Sequence, residues 1–130
     1  MKKLLLPILL LTLVLAACGG STDTTTMATT VSVDEAYDLY QEGVFFLDVR
    51  SPEEWNDFHA PNSTLIPLDQ LPNRLDELPN DQPIIVVCRS GNRSQAGRDI
   101  LLEAGFSDVA SMSGGLTEWV SQGYPSVSGP

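Results

Sequence analysis

The sequence predicts an α/β domain with a parallel sheet and helices on both faces, and three features point to it. Two apolar runs, Val44–Val49 and Pro83–Val87, are rich in β formers and read as strands buried on both sides. Segments with apolar residues at helical spacing stand before, between and after them. The part of the chain from Val31 onward has room for one such core and not for two. Strands that alternate with helices need crossover connections, which make neighbouring strands parallel and lay the helices over the sheet.

Each element has a local cause. Ser32 followed by Glu35 forms a capping box, with Val31 and Ala36 placed as a hydrophobic staple. Val33, Ala36, Tyr37 and Tyr40 continue a helical stripe that Gly43 ends. After the first strong strand, Ser51-Pro52-Glu53-Glu54 opens a second helix, with proline at its first position and Glu54 closing another capping box. Thr64-Leu65-Ile66 reads as a brief strand stopped by Pro67. Leu71, Leu75 and Leu78 predict a helix over 71–78. A helix is expected over 94–104 with Ala96, Ile100 and Ala104 on one face and Gly105 as a stop. A last strand over Val109–Met112 and a last helix over Leu116–Gln122 complete the domain.

The first 17 residues do not belong to it. Lys2 and Lys3 precede an apolar run, Leu4–Ala17, of 14 residues. A spanning helix takes about 20 residues, so this reads as a secretory signal. Leu15-Ala16-Ala17-Cys18 resembles the lipobox of bacterial lipoproteins. The resemblance implies cleavage before Cys18 and lipidation of its thiol. Residues 18–30, small and polar, then serve as lipid anchor and flexible tether. Residues 31–127 form the head, which would face the periplasm or the cell exterior.

Removal of the two lysines leaves five arginines against 17 acidic residues, a formal charge of −12. That balance argues against nucleic acid and against anionic lipid surfaces as partners, because both need basic patches. It suits an exported surface kept soluble and monomeric by its charge. Only two cysteines occur, Cys18 and Cys88. With Cys18 lipidated, Cys88 has no internal disulfide partner, so it is either buried and inert or present for its reactivity.

The most informative stretch follows the strongest strand. Cys88-Arg89-Ser90-Gly91-Asn92-Arg93-Ser94 joins that strand to the next helix. In open parallel sheets, ligands bind at the carboxyl ends of strands. A short glycine-containing loop there turns successive N–H groups inward and holds an anion, helped by the helix N-terminus. A cysteine at its start would be thiolate-rich near neutral pH. The plainer alternative is a buried cysteine ending a core strand beside two solvated arginines.

Cys88-x-x-Gly91-x-Arg93-Ser94 resembles the active-site loop of single-domain rhodaneses. Leu47–Trp55, His59-x-Pro61 and Ile66-Pro67-Leu68 resemble that family's first conserved block. Gly114-Gly115-Leu116-x-x-Trp119-x-x-x-Gly123-x-Pro125 resembles its last. Where the family carries glycine before the histidine and after the proline, Phe58 and Asn62 stand, with Ala60 and Ser63 beside them. This puts the local turn and substrate access in question.

The resemblance implies sulfur transfer through a Cys88 persulfide. The donor would be thiosulfate or another persulfide, and the acceptor a thiol or cyanide, with no cofactor. Backbone N–H groups of residues 89–94 would stabilise thiolate and persulfide. Arg89 and Arg93 would attract an anionic donor, or Arg93 would pair with an acid and brace the loop. Asp48 and Arg50 are expected to pair structurally, and Trp55 and Trp119 to pack in the core or at its rim. His59, the only histidine, is not needed as a base for a thiolate held by backbone. No His, Cys or paired acids have metal-ligand spacing, so no metal is expected. Two rivals remain: a non-catalytic module that carries or senses sulfur or docks a partner, and a phosphatase or arsenate reductase. The latter resembles Cys-x5-Arg, one residue longer than the spacing of Cys88 and Arg93.

Overall fold

The computed structural model of the protein describes Gly19 and residues 26–130. The signal segment 1–17, Cys18 and most of the expected tether lie outside the described residues. Among the described residues, no helix is long and apolar enough to cross a membrane.

Five parallel strands form one sheet in the order β1-β5-β4-β2-β3. They are β1 (Thr30–Val31), β2 (Phe45–Asp48), β3 (Thr64–Leu65), β4 (Ile84–Val87) and β5 (Val109–Met112). Four α-helices connect or follow them: α1 (Val33–Gln41), α2 (Pro52–Asp57), α3 (Asn92–Glu103) and α4 (Gly115–Ser121). β4 lies at the centre, paired with β2 on one side and β5 on the other, so the residue after Val87 emerges at the middle of the sheet's carboxyl edge.

The period-2 alternation of each strand divides the core in two. Phe46, Ile85 and Val87 face one side, where they pack with Val33 and Ala36 of α1 and Leu116 and Trp119 of α4. Leu47, Val49, Ile84, Val86 and Cys88 face the other, with Leu101 of α3, Leu71 and Leu78. Each fully buried large side chain contributes about 1.5–3 kcal/mol of burial energy, so both layers are needed to hold so small a sheet.

Both capping boxes form. Ser32 Oγ accepts from the Glu35 amide at 3.2 Å and Glu35 accepts from the Ser32 amide at 2.8 Å. Ser51 and Glu54 repeat the exchange at 3.3 and 3.1 Å. Three expectations are corrected. The segment 71–78 is not one helix but two short 3-10 turns, Leu71–Asn73 and Leu75–Glu77, with Pro72 in the first. Its leucines still face the core: Leu71 and Leu78 are buried and Leu75 packs against the same cluster. The inner face of α3 is Ser94, Gly97 and Leu101, while Ala96 and Ala104 are exposed. A Cβ at position 97 would stand 3.0 Å from Val86 and 3.3 Å from Val49, so helix and sheet sit too close there for a larger residue. Finally, ordered chain begins before residue 31. Thr30 pairs with Ser111 in β1, and the Met27 amide donates to Asp108 Oδ1 at 2.7 Å.

Candidate active site

Cys88 follows β4 directly, and the chain turns at once into α3. Gly91 makes the turn possible. It caps α3 with φ 101°, a left-handed conformation that side chains disfavour. The Gly91 amide thereby points back and donates to Cys88 Sγ at 3.1 Å. Ser94, on the first turn of α3, brings its Oγ to 3.5 Å from the same sulfur. The Ser94 hydroxyl meets that of Ser111, on β5, at 2.8 Å, so a buried chain of two hydroxyls leads to the sulfur.

Burial is the largest influence on the Cys88 thiol and opposes its ionisation. Hydrogen bonds from the Ser94 hydroxyl and from the backbone amides of Ser94, Gly91 and Ser90 together outweigh it. The thiol is therefore held below its ordinary value, and the thiolate is favoured by fixed dipoles rather than by a neighbouring base. Ser94→Ala removes one of these donors. We expect the variant to form thiolate at higher pH than the wild type and to react with an alkylating agent about tenfold more slowly at neutral pH, the worth of one hydrogen bond to a charged group. Ultraviolet thiolate titration checks this; an unchanged titration would show that the hydroxyl does not bear on the sulfur.

The loop is also braced from behind. The Cys88 and Arg89 carbonyls accept from the amides of Leu116 and Thr117, at 2.8 and 3.1 Å, in the first turn of α4. A Cβ at Gly115 would run into the Arg89 carbonyl and the Ser90 amide, so only glycine admits this approach. Gly115, the first residue of α4, thus belongs to the site by contact.

Arg93 forms a bidentate pair with Glu54, both contacts at 2.7 Å. Of its two expected roles, bracing is the one its geometry shows. Glu54 also closes the α2 capping box, so it ties the start of α2 to the start of α3. The hydrogen bond from Arg93 is the main cause that lowers the Glu54 pKa to about 2 from an ordinary 4.5. A depressed carboxylate stabilises the fold fully above its unfolded value and ceases to as pH falls through its folded value. Glu54→Gln keeps a capping side chain but loses the charge. It is expected to cost about 1–2 kcal/mol at neutral pH, a figure discounted for the half-exposed Arg93. The difference from wild type should shrink between 4.5 and about 2. Thermal melts across that range decide it, and a cost independent of pH would contradict it.

The remaining expected residues separate from this cluster. Arg89, Ser90 and Asn92 have exposed side chains on the outside of the loop. Asp48 and Arg50 form a fully buried pair at 2.7 Å. Arg50 also donates to the Phe58 carbonyl at 2.7 Å and the Glu54 carbonyl at 3.3 Å, and its guanidinium lies 5.1 Å from the Phe58 ring. Phe58 has an extended backbone that requires no glycine, whereas Asn62 adopts φ 60°, the left-handed region that asparagine tolerates. The two departures from the family pattern are thereby accommodated. His59 Nδ1 lies 2.9 Å from the Trp55 carbonyl, and its ring stacks on Trp55 at 3.7 Å. Trp119 is buried among Tyr37, Tyr40, Phe46 and Tyr124, with Nε1 donating to the Pro125 carbonyl at 2.8 Å. Among the described residues, no group of three or more His, Cys, Asp or Glu gathers as for a metal.

A buried cysteine sulfur, hydrogen-bonded at the head of a six-residue glycine-containing loop and held toward its thiolate form, fits attack on a sulfur atom, and known proteins agree with that reading. Residues 32–122 match the family described as the rhodanese-like domain. The chain belongs to the rhodanese-like family. It is 33% identical over 86 residues to a sulfurtransferase of Allochromatium vinosum, covering 66% of this chain and 80% of that protein. It is 37% identical over 90 residues to the thiosulfate sulfurtransferase GlpE of Pseudoalteromonas translucida, covering 68% and 86%. Its fold matches the crystal structure of a rhodanese-related protein from Thermoplasma volcanium with TM-score 0.71 and 30% identity, over 77% of this chain and 98% of that one. The protein is a rhodanese-type sulfurtransferase. Sequence reasoning missed Ser111, Glu54 as the partner of Arg93, and the contact of Gly115 with the loop. Ser111 left one signal: a hydroxyl inside the otherwise apolar strand Val109–Met112.

Proposed function

We propose that this protein is an exported, lipid-anchored and monomeric sulfurtransferase that carries sulfane sulfur on Cys88. The observation that supports it most is the Cys88 sulfur at the carboxyl end of β4, held by the Gly91 amide and Ser94. In the first step the Cys88 thiolate attacks the outer sulfur of thiosulfate. A new S–S bond forms at Cys88, the old one breaks, and sulfite leaves with its electron pair. The product is a Cys88 persulfide, whose terminal sulfur carries the negative charge. The backbone amides of the loop stabilise both anions. In the second step an acceptor thiolate attacks that terminal sulfur, takes it, and releases the Cys88 thiolate; cyanide would accept it in the same way.

Arg89, exposed beside the loop, suits attraction of an anionic donor. Arg93 is committed to Glu54 and is not turned to a tetrahedral oxyanion, which speaks against phosphatase or arsenate reductase chemistry. Export and anchoring rest on Lys2-Lys3, the apolar run and Leu15–Cys18. On this reading the head stands outside the cytoplasm, on the periplasmic or exterior side of a membrane.

The head has one thiol, so no internal cysteine can resolve the persulfide, and the acceptor must come from outside. Intact-mass spectrometry after thiosulfate should find the mass of one added sulfur atom, on Cys88. An excess of small thiol should return the original mass. Absence of the added sulfur, or its presence on another residue, would refute the proposal.

A further inference from the structure

The Cys88 sulfur stands at the end of a row of three groups. Ser94 Oγ lies 3.5 Å from it, and Ser111 Oγ lies 2.8 Å from Ser94 Oγ. Ser94 and Ser111 are 0% and 1% exposed, so water cannot take the place of either hydroxyl. Among the described residues, the Ser111 hydroxyl has this one hydrogen bond. A serine in a buried strand, between Ala110 and Met112, costs stability unless its hydroxyl is used. Its place is fixed from both sides of the sheet. Ser111 pairs with Val86 of β4 and Thr30 of β1, and its amide donates to the Thr29 carbonyl at 3.0 Å. Ser94 meets it from the first turn of α3, where Gly97 lets the helix lie close on Val49 and Val86.

Each hydroxyl has one proton, so for each charge state of the sulfur only one order keeps both hydrogen bonds. The neutral thiol donates to Ser94 Oγ, and Ser94 then donates to Ser111. The thiolate has no proton; Ser94 donates to it, and Ser111 donates to Ser94. Ionisation of Cys88 therefore reverses both hydroxyls by rotation, and each proton stays on its own oxygen. The two orders differ in strength. A thiol is a weak donor, whereas a hydroxyl bond to a thiolate is charge-assisted and strengthens the next bond in the row. Ser111 thus favours the anion over the thiol.

We infer that Ser111 is a positioning residue for sulfur transfer, which acts only through Ser94 and turns its hydroxyl toward the Cys88 sulfur whenever that sulfur carries charge. This role rests on Cys88 being the sulfur carrier of the proposed mechanism. It enters twice. Before loading, it favours the thiolate that attacks the donor. At discharge, the acceptor thiolate bonds to the outer sulfur, the bond from that sulfur to Cys88 Sγ breaks, and its electron pair returns to Sγ. The two hydroxyls then turn back toward the sulfur, and a better stabilised thiolate leaves faster.

The test is a cycle of Ser94→Ala, Ser111→Ala and the double variant. The alkylation rate is followed against pH on the Cys88 peptide of the full chain, with thermal melting as the fold control. Ser111→Ala should react about threefold more slowly than wild type at neutral pH, toward the lower end of what one hydrogen bond is worth, and should form thiolate at higher pH. The double variant should be no slower than Ser94→Ala alone, because without Ser94 the Ser111 hydroxyl has no path to the sulfur. A Ser111→Ala protein that melts lower but titrates like wild type would reduce Ser111 to packing and overturn the relay. So would a double variant about thirtyfold slower than wild type, the product of the single effects, since Ser111 would then act without Ser94. A second readout leaves position 111 intact. The carbon-13 signal of the Ser111 Cβ should shift as Cys88 ionises in the wild type and stay still in Ser94→Ala. A shift of equal size without Ser94, or none in the wild type, would also overturn the relay. Alkylation needs no sulfur donor, so the two readings fail separately. No sulfur gained from thiosulfate by the wild type would overturn the sulfur-carrier reading, and with it the role in transfer, without touching the relay that alkylation reads.

Discussion

Cys88→Ser is expected to abolish sulfur transfer and leave the fold intact. Serine keeps the size and hydrogen-bonding positions of the side chain, and the Gly91 amide and Ser94 hydroxyl remain within reach of its oxygen. No buried polar group is orphaned, so the stability change should stay within about 1 kcal/mol. The chemistry, however, has no substitute. A serine hydroxyl is not ionised by these donors near neutral pH, and it forms no persulfide. Loss of a covalent nucleophile costs on the order of 10⁴–10⁶ in turnover. Steady-state assay with thiosulfate and cyanide measures it, with thermal melting as the fold control. A folded variant that retains more than a trace of turnover would remove Cys88 from the mechanism. A wild type that gains sulfur yet does not turn over would instead favour the sulfur-carrying module over the enzyme.

The parts of this fold that were legible in the sequence are those whose causes are local. The capping boxes at Ser32 and Ser51 form as the spacing predicts, because a capping box is completed within one turn of helix. The strands at Phe45–Asp48 and Ile84–Val87 are legible because a strand buried on both faces must be apolar throughout. β1 was not, since two residues carry no period and their partner, β5, lies some 80 residues on. The face of α3 misled for another reason. Its alanines suggested a core stripe, but the helix lies so close to Val49 and Val86 that glycine and serine occupy the inner positions. The site divides in the same way. Cys88, Gly91 and Ser94 belong to one contiguous loop and were found together. Ser111, Glu54 and Gly115 reach it only through the tertiary fold, and no spacing in the sequence encodes that.

Arg50→Leu is expected to destabilise the domain strongly. It removes the cation from a pair in which both side chains are fully buried, and leaves the Asp48 carboxylate with only the amide of residue 50 as a donor. Breaking such a pair costs about 3–5 kcal/mol, a large share of the roughly 5–15 kcal/mol available to a domain. The loss is not electrostatic alone. The carbonyls of Phe58 and Glu54 lose their guanidinium donor, and the Phe58 ring loses the plane it packs against. At about 4 °C per kcal/mol for a domain of this length, the midpoint of melting should fall by roughly 12–20 °C. The double variant Asp48→Leu/Arg50→Leu separates the two causes. Removing the stranded carboxylate should recover part of the loss, because a buried ion pair is often replaceable by apolar groups. It should not recover all of it, since the two carbonyls remain without their donor. Activity per folded molecule should fall far less than in Cys88→Ser, because Arg50 donates to Asp48 and to the carbonyls around α2 and makes no hydrogen bond to the Cys88 loop. A double variant no more stable than Arg50→Leu would show that the carbonyl contacts carry the stability. Loss of turnover in fully folded Arg50→Leu would place this arginine in the chemistry.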